Sequence, residues 1–185
     1  MKILFADERI NYDGTQLKPH WIYNNFGLLG DAAVAFVGEA NVSIENMVDL
    51  ADVHEKAFIY SPLMLNFIVE HFNVDLELAV YRQRILMVCI KEELEQFEVD
   101  VLRLGDDLYV NKGKLSVSIA TVSPVSTLIH TGLNINTQGT PVKTAGLNEL
   151  GISDVKSFAF NVLKRYEREL EQIYEARCKV RGKLS

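Results

Sequence analysis

The most informative segment of the chain is Gly105-Asp106-Asp107-Leu108-Tyr109-Val110-Asn111-Lys112-Gly113-Lys114-Leu115-Ser116. Strand-forming residues stand on both sides of Asn111-Lys112-Gly113, whose composition favours the tight turn of a β-hairpin. Two adjacent acids, Asp106 and Asp107, open the first strand, and Lys114 opens the second. Because neighbouring positions of a hairpin lie side by side, we expect these charges to converge at one end of a sheet.

The charges of this hairpin have two interpretations. In the first, Asp107 holds a cation or orients the lysine, and Lys114 neutralises a phosphate or a carboxylate. A charge-assisted contact of that kind contributes roughly 1.5 to 3 kcal/mol. In the second, the hairpin is a solvated turn whose charges serve solubility. Composition and spacing leave both interpretations open.

Outward from the hairpin, the pattern predicts further strands. Residues Lys114 to Val122 alternate between apolar and small polar side chains, which indicates a strand with one apolar face. Residues Thr127 to Asn136 predict another strand, and Gly139-Thr140-Pro141-Val142 predicts a turn. Earlier in the chain, strands are predicted over Met1–Ala6, over Ala32–Val37 and, as one or two strands around Pro62, over Phe58–Phe72. The stretch Glu39–Lys56 predicts an irregular loop.

Two long helices complete the pattern. Asn73 or Asp75 begins the first, whose strongest apolar face consists of Leu86, Ile90, Leu94 and Phe97. Ser153 caps the second, which ends at Gly182 and carries an apolar stripe of Val162, Tyr166, Leu170 and Ile173. A short helix with Trp21, Ile22 and Phe26 is predicted between Pro19 and Gly27 or Gly30. Strands followed by helices in this order indicate an α+β fold.

Composition limits the classes of function. The chain has 185 residues with 48% hydrophobic content, and no Pro/Gly/Ser-rich linker divides it. We therefore expect a single domain over residues 1–185, in which residues 153–185 form a C-terminal amphipathic helix. Two cysteines, Cys89 and Cys178, together with the lack of a long apolar run, predict a cytoplasmic protein without a membrane span. A net charge of −6 argues against nucleic acid as a partner.

Three motifs resemble those of one enzyme superfamily. The hairpin residues Asp106 to Val110, followed by Lys114-Leu115, resemble the catalytic-lysine hairpin of biotin protein ligases and, more weakly, of lipoate ligases. His130-Thr131-Gly132-Leu133-Asn134-Ile135 is similar to the Gly-apolar-Asn strand of that superfamily. Gly30-Asp31-Ala32-Ala33-Val34-Ala35 is similar to the strand before its substrate loop. The motifs occur in the ligase order and cover roughly residues 20 to 152.

The resemblance implies a fold and a site. The fold is the α+β class of class II aminoacyl-tRNA synthetases and biotin ligases, a mixed and mostly antiparallel sheet packed against helices. Lys114 and Asp107 are the implied catalytic residues. The remaining candidates, for ligand binding, are Asp106, Arg103, His130, Gly132 and Asn134. No metal ligands are expected, since the four histidines lack metal-ligand spacing. ATP with Mg²⁺ is the candidate cofactor pair, and a small molecule is the expected partner.

Across nearly the full length, the chain also resembles a prokaryotic family of unknown function numbered 366. The segments that carry this resemblance are Phe67–Phe72, Gly105–Val110 and Leu115–Thr121. Because Met1–Ala6 is predicted to be an edge strand, a homodimer that pairs two such edges is an open alternative to pairing within the chain.

Two departures from the ligase pattern keep two functions open. The region where ligases carry an Arg/Gly-rich phosphate loop contains Glu39 and Glu45 and no arginine over residues 39–45. Val117 replaces the glycine that follows the catalytic lysine in ligases. Arg82, Arg84 and Arg103 either replace the missing phosphate ligands or pair with surface acids such as Glu77, Glu92 and Glu93. The chain is therefore either an ATP-dependent acyl-activating ligase or a non-catalytic binding protein on the same scaffold.

Overall fold

The computed structural model describes residues 1–55, 59–138 and 143–183. The predicted turn at Gly139–Val142, together with Lys56 and Phe58, lies outside these residues. The helices are α1 (Trp21–Phe26), α2 (Leu50–Glu55), α3 (Leu76–Glu95) and α4 (Val155–Cys178). The strands are β1 (Lys2–Phe5), β2 (Ala32–Val42), β3 (Ile59–His71), β4 (Leu102–Leu104), β5 (Asp107–Val110), β6 (Gly113–Lys114), β7 (Ser116–Val122) and β8 (Thr127–Asn134). Two short 3₁₀ helices span Ile44–Asn46 and Leu147–Leu150.

The larger of two sheets has five strands in the order β1-β2-β3-β8-β7. Strand β1 pairs in parallel with β2, and the other pairs are antiparallel. Helices α3 and α4 cover one face of this sheet, where Phe67 and Leu86 are fully buried. Helix α1 covers part of the opposite face, where Trp21 and Ile22 pack against Phe36. The predicted α+β class with a mostly antiparallel sheet is confirmed.

The predicted hairpin forms the smaller sheet, which has the order β4-β5-β6. Asn111 and Lys112 make its two-residue turn with φ angles of +50° and +64°, as a type I′ turn requires. The strand predicted over Lys114–Val122 is divided between the two sheets at Leu115, which is fully buried. The Leu115 N–H donates to the carbonyl of Leu108 in the hairpin, and the Leu115 carbonyl accepts from Asn134 N–H in the larger sheet.

Helix α3 begins as the sequence predicts and ends earlier. The Asp75 carboxylate caps it by accepting a hydrogen bond from Leu78 N–H at 3.0 Å. Leu86, Ile90 and Leu94 are fully buried, which confirms the predicted face. Phe97 does not continue that face: the helix ends at Glu95, and Phe97 is 44% exposed.

The last helix differs from its prediction at both ends. Asp154, and not Ser153, is the N-cap, since its carboxylate accepts from Ser157 N–H at 3.0 Å. The helix ends at Cys178, four residues before the predicted Gly182. Val162 and Tyr166 are buried as predicted. Farther along the stripe, Ile173 is 46% exposed, and its neighbours throughout residues 171–178 are exposed as well.

The first half of the chain contains more regular structure than its sequence predicts. Strand β2 continues to Val42, and the 3₁₀ helix and α2 follow within the region that predicted an irregular loop. Strand β3 is a single strand that includes Pro62. Its pairing with β8 begins only at Met64, so Pro62 lies where β8 requires no N–H donor. No helix among the described residues is long and apolar enough to cross a membrane.

Gly38 in β2 allows a close backbone contact that we expect to be essential for stability. A Cβ added at this position would lie 2.0 Å from the carbonyl oxygen of Ile10. Because backbone cannot move aside as a side chain can, Gly38→Ala is expected to lower the free energy of unfolding by about 1 to 3 kcal/mol. Urea denaturation measures the change.

Gly132 provides a matched comparison in the same sheet. A Cβ at Gly132 would lie 2.2 Å from the sulfur of Met64, which is a flexible side chain. We expect Gly132→Ala to be destabilising in the parent chain and less so in a Met64→Ala background, where the clash is removed. An unchanged unfolding free energy for Gly38→Ala would contradict the assigned close contact.

Candidate functional site

A cavity of about 180 Å³ opens on the face of the larger sheet that α3 and α4 do not cover. Strands β7 and β8 contribute Val117, Ile119 and His130, and the hairpin contributes Asp106, Asp107 and Lys114. The loop before α2 closes another side with residues 46–49. Its volume is below the roughly 300–1,000 Å³ of sites for drug-sized ligands. The cavity therefore suits a small ligand.

One wall of the cavity is apolar. Val117 and Ile119 face it from β7, because the polar Ser116 and Ser118 of that strand make their side-chain contacts on the other face. Val42 and Ile59 add branched aliphatic side chains from β2 and β3. The apolar face of the alternating β7 pattern is thus the cavity wall, whereas the polar face packs against α3 and the hairpin.

The hairpin supplies the charged end of the cavity. The Lys114 ammonium lies 3.0 Å from Oδ1 of Asp107, and both side chains are about one-third exposed or less. The Tyr109 hydroxyl donates to Oδ2 of the same carboxylate at 3.3 Å. Partial burial and the Asp107 charge raise the pKa of Tyr109, so its hydroxyl keeps its proton. Asp107 is therefore placed to orient Lys114.

The neighbouring carboxylate is held from α3. Nη1 of Arg84 lies 2.7 Å from Oδ1 of Asp106, and Nε2 of Gln83 donates to Oδ2 at 3.1 Å. Gln83 also donates to Ser118 Oγ at 3.0 Å, which connects α3 to β7. Arg84 was expected to meet a phosphate or an acid such as Glu77, Glu92 or Glu93, and it pairs with Asp106.

The remaining predicted residues lie around this site and do not line the cavity. The Asn134 side chain donates to the Lys114 carbonyl at 3.3 Å, which holds the backbone of the lysine. The Gly132 backbone makes room for Met64. Arg103 is exposed, and its guanidinium donates to the carbonyl of Gly105 at 2.6 Å.

His130 forms a polar and uncharged part of the cavity floor. Its Nε2 lies 3.0 Å from Oδ1 of Asn66, while the Asn66 Nδ2 donates to the carbonyl of Met64. The Asn66 oxygen is therefore the acceptor, and His130 Nε2 carries the proton. Burial lowers the pKa of His130 to about 3. The Tyr12 ring stacks on the imidazole with centroids 3.7 Å apart.

Tyr12 and the loop residues of the site were not predicted, because no periodic pattern or motif surrounds them. Burial, with a smaller contribution from Asp13, raises the pKa of Tyr12, so the phenol is neutral. The two acids of the region where ligases carry their phosphate loop do not line the cavity: Glu39 belongs to β2 and Glu45 to the 3₁₀ helix. Asp49 lines it instead, with one oxygen accepting from Ala51 N–H.

In the described part of the chain, no group of three or more His, Cys, Asp and Glu side chains is arranged to hold a metal ion. Asp106 and Asp107 already have cationic partners in Arg84 and Lys114. The charged end is therefore arranged around a lysine.

A protein-family model matches almost the whole sequence. Residues 1–181 match the model described as Domain of unknown function (DUF366). The chain belongs to the DUF366 family. The uncharacterized protein MJ0805 of Methanocaldococcus jannaschii is 38% identical to this DUF366 chain over 179 residues, which cover 94% of this chain and 81% of the other.

Solved structures show how far the fold extends beyond DUF366. A protein of unknown function from Pyrococcus horikoshi superposes with a TM-score of 0.93 at 41% identity, covering 99% of both chains. The biotin protein ligase of Aquifex aeolicus superposes with a TM-score of 0.62 at 18% identity, over 95% of this chain and 71% of that one. Ta0514 of T. acidophilum, assigned as a lipoate protein ligase and solved with lipoic acid, superposes with a TM-score of 0.64 at 13% identity, over 92% of this chain and 86% of that one. The DUF366 chain has the fold of biotin and lipoate ligase catalytic domains.

Proposed function

We propose that this DUF366 protein binds a small carboxylic acid in the 180 Å³ cavity and activates its carboxylate with ATP. The observation that carries the proposal is the position of Lys114, whose ammonium lies at the charged end of a cavity with an apolar wall. An aliphatic or heterocyclic acid fits such a cavity, with its apolar part against Val117 and Ile119 and its carboxylate at Lys114.

The proposed reaction is acyl adenylation. A carboxylate oxygen attacks the α-phosphorus of ATP, a new O–P bond forms, and the bond to the β-phosphate oxygen breaks to release pyrophosphate. Lys114 stabilises the negative charge at the carboxylate–phosphate junction, and Asp107 orients the ammonium. Because Asp106 and Asp107 already pair with Arg84 and Lys114, we expect the phosphates of ATP, and not these carboxylates, to bind Mg²⁺.

The ligands of the structural neighbours support this substrate class. The Aquifex biotin ligase has been solved with biotin and ATP, and the Thermoplasma protein with lipoic acid. Both acids carry an alkyl chain that ends in a carboxylate. ATP is abundant in the cytoplasm, where Cys89 and Cys178 would remain the free thiols that they are in the structure. We therefore assign the activity to that compartment.

A second candidate function, ligand binding without turnover, rests on the charge of the lining. Among the lining residues that the structure describes, Asp49, Asp106 and Asp107 face one ammonium, that of Lys114, and no guanidinium. A triphosphate requires several cationic contacts or metal ions. This balance favours a bound acid over a bound nucleotide.

Pyrophosphate exchange into ATP and thermal unfolding, measured with the same panel of ligands, separate the two functions. The panel consists of ATP with biotin, lipoate, octanoate or single amino acids. We expect at least one acid to raise the melting temperature and to support exchange. Stabilisation without exchange by any acid would favour binding alone. If no ligand of the panel gave either signal, both functions would lose their support.

A further inference from the structure

A second and larger recess lies between α3 and α4, on the other face of the sheet from the cavity. It has a volume of about 760 Å³. Leu78 and Ile85 of α3 and Leu170 and Ile173 of α4 make up much of its apolar wall. Along α4 the lining extends from Glu167 to Arg177, which is roughly 15 Å of helix. The groove is thus long, apolar and separate from the proposed catalytic site.

One end of the groove contains a closed hydrogen-bond network. The His71 ring lies 2.9 Å from Oδ2 of Asp31 through Nδ1 and 3.1 Å from the Tyr166 hydroxyl through Nε2. The other Asp31 oxygen accepts from Phe72 N–H at 2.8 Å. Burial lowers the pKa of His71, and this effect is larger than the opposing effect of the hydrogen bond to Asp31. The ring is therefore neutral. Asp31 is an ionised carboxylate without a proton to donate, and each of its oxygens already has a hydrogen-bond partner.

Arg82 lies beside this network without a partner of its own. It lines the groove, and its Nη1 is buried with no hydrogen-bond partner. Within the described residues, no carboxylate forms an ion pair with its guanidinium. A buried donor without a partner is unfavourable, and more so when it is charged. Against the opposing effect of burial, hydrogen bonds and the charge of Arg82 lower the pKa of Asp31, so the two groups interact, but they form no ion pair. Since Arg82 is always protonated, the groove presents at one end of an apolar channel a guanidinium that no described carboxylate contacts directly.

We propose that this groove binds a fatty acid, with the carboxylate on Arg82 and the alkyl chain between α3 and α4. The carboxylate matches the planar guanidinium, and the chain covers Leu78, Leu170 and Ile173, which are now partly or well exposed.

Like Asp31, the other described acids of the groove form no ion pair with Arg82. Glu167 lies 3.9 Å from the amino group of Met1. Glu171 is exposed, and Arg177 stacks over the Tyr174 ring at 5.2 Å near the far end. At the polar end, Arg82 is thus a cation without a direct ion-pair partner among the described residues, and the chain end has a second arginine that can remain in water. This binding does not depend on the proposed adenylation.

Calorimetric titration of the whole chain with octanoate, dodecanoate and hexadecanoate tests the proposal, with dodecanol as the neutral control. We expect dodecanoate to bind, dodecanol to bind at least about tenfold more weakly, and Arg82→Met to lose at least about tenfold in dodecanoate affinity. Arg168→Met is the matched control, because Arg168 is exposed on α4 outside the groove. Ile173→Glu, which adds a carboxylate to a half-exposed wall position, should also weaken binding.

Lys114→Ala distinguishes this groove from the cavity of the proposed reaction. Dodecanoate affinity unchanged by Lys114→Ala but lost in Arg82→Met assigns the ligand to the groove. Loss of affinity in Lys114→Ala with retention in Arg82→Met would overturn the proposal and assign the acid to the cavity. Equal affinity for dodecanoate and dodecanol, or no binding of any of the three acids, would also overturn it.

Discussion

Replacing Lys114 by alanine is expected to reduce acyl-dependent pyrophosphate exchange at least about 100-fold. Loss of one group that stabilises developing charge typically costs a factor of this order. The melting temperature should change little, because the side chain is one-third exposed and its ion pair with Asp107 is of the kind that contributes at most about 1 kcal/mol. Steady-state exchange rates and thermal unfolding of the same preparation measure the two effects.

Lys112→Ala is the matched control for this prediction. Lys112 lies in the turn of the same hairpin, and its side chain does not line the cavity. The control should retain the parent's exchange rate. Equal rates for the parent and Lys114→Ala would remove Lys114 from the reaction. In a protein that only binds, Lys114→Ala should instead weaken the ligand-induced rise in melting temperature.

Burial of His130 is expected to make the fold sensitive to acid. The folded-state pKa of this imidazole is about 3, below the ordinary value of 6.5. The unfolded chain therefore binds a proton that the folded chain does not between these two pH values, and stability decreases as the pH falls from 6.5 toward 3. At pH 5 the free energy of unfolding is thereby lower by about 2 kcal/mol, since each pH unit below 6.5 costs roughly 1.4 kcal/mol.

His130→Asn is expected to remove this part of the pH dependence, even if it lowers stability at neutral pH. Urea denaturation at pH 7 and pH 5 measures the difference for each chain. His54→Gln is the control, because His54 is exposed, and its difference should equal that of the parent. Burial also lowers the pKa of His71, so a smaller decrease in the same direction should remain. An unaltered difference in His130→Asn would show that His130 does not cause it.

The parts of the fold that sequence predicts well are those determined by local chemistry. The turn at Asn111-Lys112 follows from a composition that tolerates positive φ angles. The buried face of α3 follows from apolar spacing, since a helix places Leu86, Ile90 and Leu94 on one side. The ligase-like motifs also indicated the arrangement of the sheet, because their order and spacing extend over several elements and not over a single helix or strand.

Other features depend on contacts between distant residues, which a local pattern does not contain. Phe97 continues the apolar spacing of α3, but the helix ends before it. Tyr12 reaches the cavity only because its segment pairs beside β2, where Tyr12 bridges to Ala40. Arg84 could pair with acids on its own helix, and the tertiary fold places Asp106 closer. Of the residues that line the cavity, the sequence therefore singled out the hairpin charges and His130 as candidates, and it did not single out the residues that position or cover them.

The passage of the chain from one sheet to the other at Leu115 restricts insertions and deletions. A single residue connects Lys114, in the hairpin, to Ser116, in the larger sheet. Adding or removing one residue there would reverse which face each β7 side chain occupies. Val117 and Ile119 would turn toward α3, and the serines would enter the cavity. Homologues that use Lys114 in the same way should therefore vary in residue type along this segment while keeping its length.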